Sequence, residues 1–165
     1  MPSKNDVKQI YIDTSLLREW IARLMRGEKE EDTQIIKFLR EHEEIKKFIS
    51  VFTIAELVEN LLFKEKRIKD FMRKQEVVES FSQILMDTTG IKIIEQERKE
   101  EHVGIFISPK IVDYVAKCGS IKDSIHVCIA EHEDLWLVTH DNNFGRLKPL
   151  YKNIMTDKAL LKLFG

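Results

Sequence analysis

The chain has 165 residues, with 27 Lys and Arg against 28 Asp and Glu, giving a formal net charge of −1. At 43% hydrophobic and 33% charged, it is too apolar and too nearly neutral for disorder, and long enough for one domain, 1–165, with a sizeable core. No stretch free of Asp, Glu, Lys and Arg exceeds eight residues, whereas a membrane helix needs about 20 apolar ones, and the near-zero charge argues against binding nucleic acid through a uniformly basic surface.

The apolar run before Asp13 is only Ile10-Tyr11-Ile12, so no secretory signal is expected and a strand buried on both faces is predicted. Leu17, Trp20, Ile21 and Leu24 have helical spacing, with Gly27 as a stop. A second helix carries Ile35, Phe38, Leu39 and His42. Phe48 to Phe52 reads as a second strand, after which Thr53 starts a helix through Leu57, Leu61 and Leu62. A long helix is predicted over about Glu65 to Met86, then a turn at Gly90 and a third strand over Ile91 to Ile94. Residues from Glu95 to His102 are polar, and Val103 to Ile107 suits either strand or loop. Pro109 fits the first turn of a helix reaching about Lys117. Ser120 opens another helix to about His132, followed by a fourth strand over Leu135 to Thr139, a fifth over Asn153 to Met155, and a terminal helix through Leu160, Leu161 and Leu163. Six Gly and three Pro leave few tight turns, in keeping with long helices. Strands alternating with helices predict an α/β fold, a three-layer α/β/α arrangement around a mostly parallel sheet of about five strands. The two cysteines, Cys118 and Cys128, match neither a zinc motif nor a redox pair, so a cytoplasmic protein with free thiols is expected.

Four acids fall at the ends of these elements. Asp13 directly follows the first strand, Glu56 lies four residues after the second, Asp123 lies in the first turn of a helix, and Asp141 lies two residues after the fourth strand. In an open parallel sheet, ligands bind outside the carboxyl ends of the strands. Carboxylates converging there repel one another unless cations hold them together, and oxygen-only ligands select Mg²⁺ or Mn²⁺ over zinc. Each acid also has a purely structural use. Thr53-Ile-Ala-Glu56 and Ser120-Ile-Lys-Asp123 fit a helix capping box. Asp13 before Thr14-Ser15 can cap a helix, and Asp141 before Asn142-Asn143 can make a turn.

Asp123 carries extra information. Ile121, Ile125 and Ile129 form one stripe of its helix, while Val127 and Ala130 lie nearly opposite, so the helix is predicted to be buried. A carboxylate there is costly without a counter-charge. Asp123 to Asp141 holds five acids and no Lys or Arg, and a bound metal is one way to supply that charge.

Ile10-Tyr-Ile-Asp13-Thr-Ser-Leu-Leu17, Phe52-Thr-Ile-Ala-Glu56-Leu, Lys122-Asp123-Ser-Ile-His-Val-Cys-Ile-Ala130 and Leu137-Val-Thr-His-Asp141-Asn-Asn-Phe144, in this order and spacing, resemble a PIN domain. The resemblance covers about Gln9 to Phe164 and implies a divalent-metal-dependent endoribonuclease that leaves 5′-phosphate and 3′-hydroxyl ends and is often a homodimer. By position, it makes Asp13, Glu56, Asp123 and Asp141 the acidic, metal-holding and catalytic cluster, with Thr139 as an auxiliary hydroxyl. It implies that Asp13, Asp123 and Asp141 hold one or two Mg²⁺ or Mn²⁺ ions. Glu56 then ligates through water or takes the proton from the attacking water. Asn143 departs from the family, many of whose members have a further acid there. Its amide can orient water or phosphate but brings no charge, which weakens the case for a second ion.

Within this family the expectation is either the toxin of a toxin–antitoxin pair, with an antitoxin protein as partner, or a processing enzyme for single-stranded or structured RNA. The alternative is a non-catalytic PIN-fold module that binds RNA or protein, favoured only by Asn143. A phosphoacceptor receiver-like domain also clusters acids at strand ends, but it would carry a Lys where Thr139-His140-Asp141 stands. Charge patterning fits an RNA ligand. Lys64 to Lys74, where Lys66, Lys69 and Arg73 share a helix face, and Asn142 to Gly165 each sum to +4. Either stretch can equally be a solvated face. Among the histidines, His132 shares a stripe with Ile125, Cys128 and Ile129 and is expected to pack, His126 can stand as a partner behind Asp123, and His140 falls in a loop.

Overall fold

Ile10, Tyr11 and Ile12 are fully buried because their strand is covered on both faces. The computed structural model describes residues 2–25, 33–60, 63, 87, 89–94 and 110–165. In chain order the main elements are β1 (Gln9–Ile12), α1 (Thr14–Met25), α2 (Gln34–Glu41), β2 (Lys46–Ile49), α3 (Val51–Glu59), β3 (Lys92–Ile93), α4 (Ile111–Cys118), α5 (Ile121–His132), β4 (Trp136–Thr139), β5 (Ile154–Thr156) and α6 (Asp157–Phe164). Short 3-10 turns cover Lys4–Asp6 and Asn142–Leu147. The five strands form one sheet in the order β3-β2-β1-β4-β5. All its pairings are parallel, with Tyr11 opposite both Phe48 and Leu137.

Strand alternation divides the core into two layers. Ile10 and Ile12 of β1, Ile49, Val138 and Met155 face the layer completed by Leu17, Trp20 and Ile21 of α1, by α2, and by Leu160 of α6. Tyr11, Leu137 and Ile154 face the opposite layer, built by Tyr114 of α4, Val127 and Ile129 of α5, Phe144 and Leu147. This is the three-layer α/β/α arrangement expected. Among the described residues no helix is long and apolar enough to cross a membrane.

Differences lie mainly at element boundaries. The second strand ends at Ile49, and Val51 and Phe52, expected to be strand, open α3. The cause is the Ser50 cap: its hydroxyl accepts from Thr53 N at 3.2 Å, and Thr53 Oγ1 returns the bond to Ser50 N at 3.4 Å. Thr53 is therefore the reciprocating residue of a capping box, not its start, and Glu56 lies a turn beyond it. Replacing Ser50 with Ala is expected to lower stability by about 0.5–2 kcal/mol, read as a shift in the denaturation midpoint. Gly119 ends α4 at φ 75°, the left-handed region in which its N–H reaches Val115 O at 2.8 Å. His132, expected to pack, is exposed and bonds Glu133. Ile121, the first member of its predicted stripe, is 61% exposed. The helix expected over 65–86, with the RNA-contact candidates Lys66, Lys69 and Arg73, lies outside the described residues. So do Gly27, Pro109 and the 103–107 stretch.

Candidate active site

All strands run the same way, so their carboxyl ends share one edge, where the returning helices α3 and α5 begin. Asp13 leaves β1 at that edge with its N–H still tied to Val138 O at 3.0 Å. Glu56 reaches in from α3, Asp123 from the first turn of α5, and Asp141 from the turn after β4.

Asp13 is 5% exposed and held by hydroxyls. Its Oδ2 accepts from Ser15 Oγ at 2.5 Å and from Thr139 Oγ1 at 2.8 Å, with the Ser15 N–H at 3.4 Å. Its Oδ1 faces His126 Nε2 at 3.4 Å. Glu56 Oε2 accepts from Thr14 Oγ1 and from His126 Nε2, each at 2.7 Å, while Oε1 lies 3.5 Å from Lys122 Nζ. Burial works to raise the Glu56 carboxyl, but the His126 and Thr14 hydrogen bonds and the His126 and Lys122 charges outweigh it and bring it down to about 2. Asp13, Glu56 and His126 each offer a ligand atom within 4.8 Å of the others.

Asp123 and Asp141 stand outside that triplet but within its field. Burial pushes the Asp123 carboxyl up, the Ser120 hydroxyl opposes this, and the negative charges of Asp13 and Asp141 add to it. Ser120 does cap α5, accepting from Asp123 N at 3.2 Å, so Asp123 combines a place in the cap with a strained charge. Asp141 caps its own turn, with Oδ1 accepting from Asn143 N at 2.8 Å. Its N–H donates to Thr139 Oγ1 at 3.0 Å, so Thr139 ties Asp141 to Asp13. Asn143 touches Asp141 and is exposed; its Nδ2 lies 3.4 Å from Oδ2. Lys122, beside Asp123 in sequence, turns to Glu59 at 2.5 Å and to Glu56.

The donor set suits a cation. Two carboxylates, Asp13 and Glu56, meet beside His126, and the charges of Asp13 and Asp141 add to the effect of burial in raising the Asp123 carboxyl. The oxygens are hard donors of the type that hold Mg²⁺ or Mn²⁺. The ligand atoms that converge belong to Asp13, Glu56 and His126, whereas Asp123 and Asp141 are not part of that group.

Sequence reasoning missed Thr14, Ser15 and Tyr11, and weighed His126 only as a partner of Asp123. The hydroxyl pair directly after Asp13 was the available signal for Thr14 and Ser15. It was weighed only as a helix start. His126 pairs directly with Glu56 and Asp13 and acts on Asp123 only through its charge.

The PIN domain family model matches residues 10–149. The crystal structure of PAE2754 from Pyrobaculum aerophilum is similar in fold, with a TM-score of 0.51 and 21% identity over 95% of this chain and 94% of that one. Among curated proteins no sequence matches the chain.

Proposed function

Since the chain belongs to the PIN domain family, whose fold is of nuclease type and commonly metal-dependent, we propose that it is a divalent-metal-dependent endoribonuclease acting on single-stranded RNA. The observation that carries this is the meeting of buried Asp13 with Glu56 at the strand ends, with Asp123 and Asp141 in electrostatic reach. When bound, Mg²⁺ or Mn²⁺ would polarise the scissile phosphate and acidify a water. The chain's own residues prepare the place. Ser15 and Thr139 fix Asp13 Oδ2 and leave Oδ1 facing His126 Nε2. Thr139 also sets the start of the turn that presents Asp141. Glu56, held at about 2, stays anionic at neutral pH. That favours holding a cation, directly or through water, over taking a proton, since a general base works best with a pKa near the working pH.

For the nucleic acid, Arg146, Lys148, Lys152, Lys158 and Lys162 are all exposed and follow the Asp141 turn in the chain. They suit contacts to a phosphate backbone, and we extend the same role to Lys66, Lys69 and Arg73. A toxin with an antitoxin partner, or an RNA-processing enzyme, is the cellular role proposed, and a homodimer the assembly. A short neighbouring reading frame whose product co-purifies with this chain would favour the toxin.

The test is cleavage of single-stranded RNA with Mn²⁺ or Mg²⁺. Chelation by EDTA is expected to stop it, and Asp123→Asn and Glu56→Gln each to slow it at least roughly tenfold. Folded variants that cleave like the parent would leave these acids with capping and packing roles alone. A parent that binds RNA without cutting it would favour the non-catalytic module, which Asn143 and the already satisfied Glu56 support.

A further inference from the structure

His126 is 1% exposed, and both its ring nitrogens are engaged. Nδ1 lies 2.8 Å from the Tyr11 hydroxyl, and Nε2 lies 2.7 Å from Glu56 Oε2 and 3.4 Å from Asp13 Oδ1. An ionised carboxylate only accepts, so Nε2 carries the hydrogen. Nδ1 pairs with the Tyr11 oxygen, which also pairs with the hydroxyls of Ser50 and Thr53, at 2.8 and 3.0 Å. Those two residues form the cap of α3, the helix that carries Glu56. Phe52 packs edge-on against the imidazole, with ring centroids 5.1 Å apart. The wiring thus runs from the α3 cap through β1 to α5 and back to Glu56 on α3. Every polar atom in it has a partner, as a buried network needs.

We propose that His126 is the positioning residue of the acidic site: with its ring anchored by Tyr11, it holds Glu56 and Asp13 as a preformed pair for the divalent cation. This rests on the metal-dependent reading of the same site. The competing role for His126, direct ligation through Nε2, would displace the hydrogen that now faces two carboxylates. It would also add a nitrogen donor, which favours Mn²⁺ over Mg²⁺.

Titration calorimetry with MnCl₂ and with MgCl₂ on the full chain tests this, with circular dichroism to confirm folding. Outer partners of metal ligands typically change affinity by 10- to 100-fold. Accordingly, His126→Ala is expected to weaken both ions by the same factor, roughly 10- to 100-fold. His126→Gln, whose amide can still donate to Glu56, recovers most of the affinity. Tyr11→Phe removes the hydroxyl that anchors the ring and weakens both ions by a smaller factor. Folded His126→Ala with parental affinities overturns the proposal, as does a loss confined to Mn²⁺, which would make His126 a ligand. If His126→Ala does not fold, parental affinities in Tyr11→Phe overturn it instead. A parent chain that binds neither ion overturns the metal-dependent reading itself, and this proposal with it.

Discussion

Asp13→Asn is expected to reduce metal-dependent RNA cleavage by at least roughly 10²- to 10³-fold, the scale seen when one electrostatic stabiliser of a transition state is removed. The substitution keeps shape and loses charge. One oxygen must still accept from Ser15 and Thr139, so the amide oxygen takes the Oδ2 place. The amide nitrogen is then left at the Oδ1 place, 3.4 Å from a histidine nitrogen that itself donates. Two donors now face each other where a carboxylate oxygen faced one. The variant loses a ligand and also disturbs His126. A second readout separates this from simple unfolding. Without the Asp13 charge, the Asp123 carboxyl is expected to titrate lower, because Asp13 is one of the charges holding it up. Carbon-detected NMR titration of the side chains would show it. A folded Asp13→Asn that cleaves within a few-fold of the parent would remove Asp13 from the active site.

Leu57→Ala is expected to cost about 2–5 kcal/mol of stability, the range for emptying a fully buried leucine site. Leu57 is 0% exposed and belongs to the layer shared with Leu17, Ile49 and Val138. At about 2–4 °C per kcal/mol for a chain of this size, the melting point falls by about 4–20 °C. Leu57 follows Glu56 in the helix but points into the core. Below the melting transition, therefore, Mn²⁺ affinity should stay near that of the parent, because the Ser50 and Thr53 cap still fixes the start of α3. A small thermal shift paired with lost Mn²⁺ binding would mean that packing, not the polar wiring, places Glu56.

The fold was legible where burial writes a strong pattern. Ile10-Tyr11-Ile12 reads as a strand covered on both faces and is one, and the apolar runs near residues 137 and 154 are strands buried in the same way, whereas the strands near 48 and 92 are partly exposed. The end of β2 was hidden because Ser50 and Thr53 both make plausible caps. Only packing, which buries Leu57 and turns Glu56 toward the pocket, distinguishes them. The acids stood out by position, at or just beyond the carboxyl ends of strands where an open parallel sheet binds ligands, although each also has a capping or turn use. Their polar partners did not. Tyr11 meets His126 across 115 positions and Ser50 across 39. Such contacts leave no local spacing to detect. Tyr11 in particular was hidden by its own strand, since a tyrosine there satisfies the apolar pattern whatever its hydroxyl does.

The pairing of β1 with β4 joins Ile10 to Trp136 and Ile12 to Val138. Its consequence lies in time rather than in space. A contact between segments so far apart carries a large loop-closure cost and forms slowly, after local helices have had their chance. Asp13 is synthesised before Thr139 and Asp141, with Thr139 126 positions further on. Until β4 docks beside β1, Asp13 has the Ser15 hydroxyl but lacks that of Thr139 and the acid that Thr139 ties to it. A ribosome-bound or truncated chain that stops short of β4 should thus carry the first acid without a working pocket, and the chemistry would switch on only when the central pair of strands closes.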